Sequence, residues 1–292
     1  MMPPAMKMLK FGLSRAFLAM SVTASLPAAN VIHYWDFDTQ TGGVPVDTVG
    51  GVATSSSGTP DVSQDAIYGE AYAGAGASLN TALNGGGHLL ADVYDGSAAS
   101  AMIFTGSFSF SYWSYDASNL DGDVRGPRVF DSLSGTTAGI QLGSNASGIF
   151  NYRTDDDGGA FVLSNTTLGT LNQADGVWTH IAVNVDLDGD QAEVFFNGAS
   201  QGTYDVSSLT GTVQPTQDMQ IGVINGGTNA GGAQQSGLDD LAFYDGTLSN
   251  AEISGLASGS MTPDMIVVPE PSSALLVLMG VAFGIRHRRQ AC

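Results

Sequence analysis

Apolar and polar residues alternate along much of this chain. Ser107-Phe108-Ser109-Phe110-Ser111-Tyr112 places Phe108, Phe110 and Tyr112 on one face and serines on the other, which predicts a half-buried strand of period two. Residues 177–186 alternate in the same way, with Ile181, Val183 and Val185 on one face. Asp188-Gly189 then marks a hairpin turn, and residues 191–196 return with Ala192, Val194 and Phe196 inward. Further strands are predicted over 32–37, 128–131, 139–142, 149–153, 160–163, 219–223 and 238–244. Short strands with turn residues about every ten positions predict an all-β fold of two antiparallel sheets packed as a sandwich.

One helix stands out against this pattern. In Ser249-Asn250-Ala251-Glu252 the Ser249 hydroxyl can cap the Glu252 amide while the Glu252 carboxylate reaches back, opening a short C-terminal helix through Ile253 and Leu256. Residues 42–58, rich in Gly, Ser and Thr, read as a long loop, and 257–267 as a linker.

Both ends read as addresses. Lys7, Lys10 and Arg15 precede an apolar stretch from Ala16 to Leu26, followed by Ala28 and Ala29, the layout of a secretory signal peptide over residues 1–29. Ala24, Ala28 and Ala29 all suit cleavage, and an uncleaved anchor is the alternative. At the other end, over 268–292, Val268-Pro269-Glu270-Pro271 leads into an apolar run from Ala274 to Ile285 and then Arg286, Arg288 and Arg289. Arginines beside an apolar helix are retained on the cytoplasmic side, so the rest of the chain is expected outside. From Ser272 to Ile285 such a transmembrane helix rises about 21 Å against a hydrocarbon core of roughly 30 Å, short for a permanent anchor. Pro269, Glu270, Pro271 and the three arginines resemble the PEP-CTERM sorting signal of diderm bacteria. That resemblance implies an exosortase-type membrane protease as partner, cleavage near Pro269-Glu270-Pro271, transient anchoring in the inner membrane, and delivery to the outer surface or extracellular matrix.

Charge narrows the ligand classes. Between residues 30 and 268 only Arg125, Arg128 and Arg153 stand against 27 of the 28 carboxylates, a net charge of −24. Nucleic acid and anionic headgroups are excluded as partners, because binding them rests on Lys and Arg neutralising phosphates. Neutral glycans and divalent cations remain. The single Cys292 is the last residue, so no intrachain disulfide supports the fold. A core of about 235 residues can do so as one domain.

Five segments in order, Ile32-His33-Tyr34-Trp35-Asp36-Phe37-Asp38, Tyr68-Gly69-Glu70-Ala71, residues 107–113, Gly176-Val177-Trp178-Thr179-His180-Ile181-Ala182-Val183 with Val194-Phe195-Phe196-Asn197-Gly198, and Leu238-Asp239-Asp240-Leu241-Ala242-Phe243-Tyr244 with 248–253, resemble landmarks of LamG-like, concanavalin-type jelly-roll domains. The resemblance covers residues 30–256 and implies a jelly-roll sandwich. In members of that fold a calcium ion often ties the first strand to the last; the matching positions are Asp38 and Asp239, with Asp240 alternating to the other face.

Glycoside hydrolases on this fold use a Glu-x-Asp-x-x-Glu strand, which this sequence lacks; its core glutamates are Glu70, Glu193 and Glu252. His33, His88 and His180 stand alone among apolar or glycine-rich neighbours. Asp186-x-Asp188-Gly189-Asp190 fails the EF-hand spacing and reads as a solvated hairpin, and Asp155-Asp156-Asp157 as a charged loop tip. Trp113 falls opposite Phe108, Phe110 and Tyr112, and Tyr115, Tyr152 and Arg153 join it as a glycan-stacking group if their strands share a sheet. The expectation is a non-enzymatic, surface-sorted module that binds glycans or matrix. A passive matrix protein and a polysaccharide hydrolase or lyase are the alternatives.

Overall fold

The computed structural model of the chain describes residues 29–58, 60–63, 77–81, 87–94, 101–116, 128–132, 138–144, 150–163, 174, 176–222 and 236–267. Residues 1–28 and 268–292, which carry most of the signal-peptide expectation and all of the sorting expectation, lie outside the described residues. The first strands are β1 (Asn30–Trp35), β2 (Gln40–Thr41), β3 (Val44–Pro45), β4 (Thr54–Ser57), β5 (Asp61–Ser63), β6 (Ser78–Thr81), β7 (His88–Ala91) and β8 (Phe108–Asp116). They are followed by β9 (Arg128–Asp131), β10 (Gly139–Ser144), β11 (Phe150–Asp155), β12 (Phe161–Leu163), β13 (Trp178–Asp186), β14 (Gln191–Phe196), β15 (Ala199–Asp205), β16 (Met219–Ile221) and β17 (Ser236–Asp245). One α-helix, α1 (Asn250–Ala257), and a 3₁₀ turn over Pro263–Met265 close the described chain.

The strongly alternating segments form the central strands. β2 to β7 and β15 were not predicted, and β3 and β4 lie inside the stretch expected to be loop. A Ser- and Thr-rich strand such as Thr54-Ser55-Ser56-Ser57 shows no apolar alternation, and it is held by its register on Leu89 and Ala91 of β7.

Two sheets stack face to face. Sheet A runs β15-β14-β13-β8-β17-β6-β5, with β1 also on β17; sheet B runs β12-β11-β10-β9-β16-β7-β4. The inner faces bury Trp35, Phe110, Phe130, Tyr152, Val183, Val194, Leu241 and Phe243 in one core. Phe110 sits at its centre, 5.4 Å from Phe130, 5.2 Å from Tyr152 and 6.0 Å from Phe243, the tilted and edge-on contacts that aromatic quadrupoles favour. Each such side chain contributes roughly 1.5–3 kcal/mol by leaving water.

A second cluster covers part of the outward face of sheet A. Ile253 and Leu256 of α1 pack with Val31, Tyr34, Ala182, Phe195, Ala242 and Tyr244. The helix begins as the sequence predicts: Ser249 caps the Glu252 amide and Glu252 returns to the Ser249 amide. Residues 257–267, expected as linker, dock instead. Ile266 is buried in this cluster, and its carbonyl accepts the Val31 amide at 3.0 Å. Among the described residues no helix is long and apolar enough to cross a membrane.

Candidate functional site

The outward face of sheet B carries a row of aligned side chains. Register places Ser55 of β4 beside Leu90 of β7, Leu90 beside Gln220 of β16, Gln220 beside Asp131 of β9, Asp131 beside Gln141 of β10, and Gln141 beside Arg153 of β11. Their strand neighbours Phe130, Leu142, Tyr152 and Ile221 fill the core, so strict alternation turns the row outward. Gln141 Nε2 donates to Asp131 Oδ2 at 3.1 Å. Arg153 forks onto Asp155, with Nε to Oδ1 at 2.7 Å and Nη2 to Oδ2 at 2.5 Å, and its guanidinium lies 5.0 Å over the ring of Phe161. The fork to Asp155 raises the Arg153 pKa; burial opposes the rise, and the charges of Asp155 and Asp131 add to it. Phe161 is 54% exposed, although it belongs to the edge strand β12. Asp131 and Asp155 are buried and brace their neighbours, so the row offers the part-exposed Gln141, Gln220 and Arg153 beside an exposed ring, a composition suited to hydroxyl-bearing ligands.

The stacking group expected from the sequence does not assemble. Trp113 and Tyr115 lie on β8 in sheet A, whereas Tyr152 and Arg153 lie on β11 in sheet B. Tyr152 points into the core against Phe110 and is fully buried, which pushes its hydroxyl pKa well up. Trp113 is only 8% exposed and meets His180 edge to face at 5.3 Å. Tyr115 remains half-buried, paired with Trp178 at 5.6 Å. Alternation gave the face of Trp113 and Tyr115 correctly but not that Trp113 becomes covered, and Tyr152, next to Arg153 on one strand, must take the opposite face.

Several residues read as isolated have defined partners. His33 is buried with Nδ1 2.7 Å from Asp47 Oδ2 and Nε2 3.1 Å from the Ala101 carbonyl, so both ring nitrogens face oxygen. Burial opposes ionisation of Asp47, but His33 and the amides of Tyr34 and Gly50 outweigh it and hold its carboxyl below the usual range. The three aspartates after Arg153 are not a solvated tip. Asp155 holds Arg153, and Asp156 accepts the amides of Ala160, Thr210 and Gly211 at 2.8–2.9 Å. Asp157 accepts the Thr212 amide at 2.8 Å. Asp156 and Asp157 thus fasten the crossover between the sheets. The hairpin at Asp186–Asp190 forms as expected, with Asp186 accepting from Ser107 and Gly189.

Asp38 accepts the Ala77 amide and Asp239 the Asp240 amide. A β-bulge between Asp239 and Ala242 corrects the expected alternation: Asp239 pairs with Trp113 and Ala242 with Ser111, while Asp240, at φ 50°, accepts the Tyr34 hydroxyl. Both carboxylates thus belong to the outward side of sheet A. Among the described residues no group of three or more His, Cys, Asp or Glu is placed to hold a metal ion. A calcium held by Asp38 and Asp239 would complete its six to eight oxygens from main-chain carbonyls.

Two twisted antiparallel sheets with a shared aromatic core and a polar outward face define a concanavalin-type jelly roll. Residues 92–254 match the laminin-G-type model of the concanavalin A-like lectin/glucanases superfamily, and the chain belongs to that superfamily. No curated protein matches the sequence. Among solved structures it is similar to the binding domain of Paraclostridial Mosquitocidal Protein 1, at 13% identity and TM-score 0.57 over 79% of this chain and 52% of that one. The binding domain of botulinum neurotoxin serotype G is similar at 14% identity and TM-score 0.56, over 79% of this chain and 51% of that one. A third is the binding domain of botulinum neurotoxin DC in complex with rat synaptotagmin II, at 14% identity and TM-score 0.55, over 80% and 52%. The chain spans about half the length of these structures. At such identities the likeness is one of fold.

Proposed function

We propose that the protein is an exported, non-catalytic binding module that holds a neutral glycan of the cell envelope or matrix along the sheet B row. The observation that carries this reading is the alignment of Gln220, Gln141 and Arg153 around the buried Asp131, across four adjacent strands, beside the exposed Phe161. The net charge of −24 favours a neutral polymer over an acidic one. Similar folds include a botulinum neurotoxin D binding domain in complex with N-acetylneuraminic acid, an acidic sugar, which supports a sugar as ligand class while the neutrality rests on the charge of this chain. Affinity electrophoresis through gels containing neutral and acidic polysaccharides tests it. Retardation by a neutral polymer, weakened in Gln141→Ala/Gln220→Ala, is expected; free migration in every gel would favour the passive matrix protein.

Export and sorting by the signal peptide and the exosortase-type tail belong to the same reading. Arg286, Arg288 and Arg289 changed together to Ala should cause release or mis-sorting, and unchanged processing would refute the stop signal. A structural calcium at Asp38 and Asp239 is expected to raise the melting temperature of the wild type but not of Asp239→Ala. Identical melting of the wild type in calcium and in EDTA would remove the metal from the reading.

One observation favours the hydrolase alternative. Asp92 and Asp218 flank the Ala91–Met219 pair of sheet B, and burial together with the charge of Asp92 raises the Asp218 carboxyl, against the pull of the Tyr94 amide. Release of reducing ends from a polysaccharide, abolished by Asp218→Asn, would replace the binding reading with that one.

A further inference from the structure

Sheet A has its own aromatic concentration, beyond the part of its outward face that α1 covers. Ala182, Ser111 and Ala242 form one cross-strand row under the helix cluster. The next row outward is His180, Trp113 and Asp239, and the one after it is Trp178, Tyr115 and Gly237. Register carries that last row on to Asn80 of β6 and Asp61 of β5.

Gly237 explains how Trp178 lies. A Cβ at this position would stand 2.6 Å from Trp178 Cη2, 3.0 Å from Cζ2 and 3.2 Å from the Tyr115 Cβ. The six-membered ring therefore rests directly on the main chain of β17. Gly237 is not among the positive-φ glycines, so its backbone does not demand glycine; what it supplies is a seat. Tyr115 braces the indole from the side, edge to face at 5.6 Å. Trp178 nonetheless remains half-buried, and Val177 beside it is 49% exposed. An indole seated on backbone and braced by a second ring loses little rotamer freedom on binding and presents π surface to a partner.

We propose that Trp178, seated on Gly237 and braced by Tyr115, is a second contact site for a neutral glycan, on the sheet opposite the polar row. A pyranose ring packs on such a surface by dispersion. The carboxylate of Asp239 one row away and the acidity of the chain as a whole disfavour an acidic sugar. With contact faces on both sheets, one molecule can join two polymer strands. The ligand class rests on the glycan reading given above; the location does not.

Intrinsic fluorescence tests the site in the purified protein. The chain has three tryptophans, and Trp35 and Trp113 are buried, so Trp178 reports contact. Titration with neutral hexaoses of glucose, mannose and galactose should shift the emission saturably with at least one of them. Trp178→Phe should abolish the shift, and Gly237→Ala, which lifts the ring from its seat, should weaken binding about tenfold. The Gln141→Ala/Gln220→Ala variant should keep the shift. No shift with any hexaose, or full affinity in Gly237→Ala at an unchanged melting temperature, overturns the site. Gel retardation that survives in Trp178→Phe without any hexaose shift would leave the sheet B row standing and remove this one. A shift that persists where retardation fails would do the opposite.

Discussion

His180 shows how one side chain couples this fold to pH. It is 1% exposed, and burial pushes its pKa down to about 3. Since the ordinary value is near 6.5, the fold favours the neutral ring. Its contribution is fully present above about pH 6.5 and is lost as pH falls from there toward 3. Wild-type stability should drop by about 1.4 kcal/mol per pH unit below 6.5 relative to His180→Phe, in denaturant titrations at pH 7, 6 and 5. Parallel curves for the two proteins would mean that the ring charges freely. Asp156 shifts the same way for a different reason: the fold favours its charged form, so its contribution too is lost as pH falls, below the ordinary carboxylate range. Burial opposes its ionisation, but the amides of Gly211, Ala160, Thr210 and Gly158 hold its carboxyl below the usual range. Asp156→Ala leaves the bonded amides of Ala160, Thr210 and Gly211 without their acceptor, at about 1 kcal/mol each, so a loss of ~3 kcal/mol is expected by urea denaturation. Gly211→Ala should be comparably harmful, because a Cβ there would stand 2.2 Å from Asp157 Oδ1. A loss below about 1 kcal/mol in both variants would show that the crossover does not depend on this clasp.

At the scale of elements, the strands with alternating apolar residues were legible because their signal is local. β14 and β9 carry the predicted bounds, and α1 starts at its predicted cap. The sheet B row was not legible. Asp131, Gln141 and Arg153 sit on consecutive strands but align only through a register that loops of unread geometry set, and Gln220 joins them from a strand far along the chain. Residues 257–267 escape a local reading for a related reason. Their composition is that of a linker, yet Ile266 is matched to a cluster drawn from β1, β13, β14, β17 and α1. Ile266→Ala should cost ~2–5 kcal/mol as a core truncation, and a chain ending at residue 262 should melt lower than one ending at 267. Equal melting of the two would show that the closing segment contributes nothing to the second cluster.

For the molecule as a whole, charge governs behaviour that no single contact reveals. With Arg125, Arg128 and Arg153 against 27 carboxylates between residues 30 and 268, the folded core repels itself at low ionic strength. Salt shortens the reach of that repulsion, from roughly 30 Å at 0.01 M to about 8 Å at 0.15 M, so the melting temperature should rise between these concentrations. Glycan binding should respond differently. Packing on Trp178 or Phe161 and hydrogen bonds to Gln141 and Gln220 involve neutral groups, so affinity for a neutral polymer should stay flat across the same range. A ligand held through charge would behave otherwise, since each ion released on binding adds to a steep fall of affinity with salt. Measuring retardation at about 0.01, 0.05 and 0.15 M salt separates the cases. A flat response fits a neutral glycan on both sheets, whereas a steep fall would assign the binding to Arg153 and its few basic companions and reject the neutral ligand.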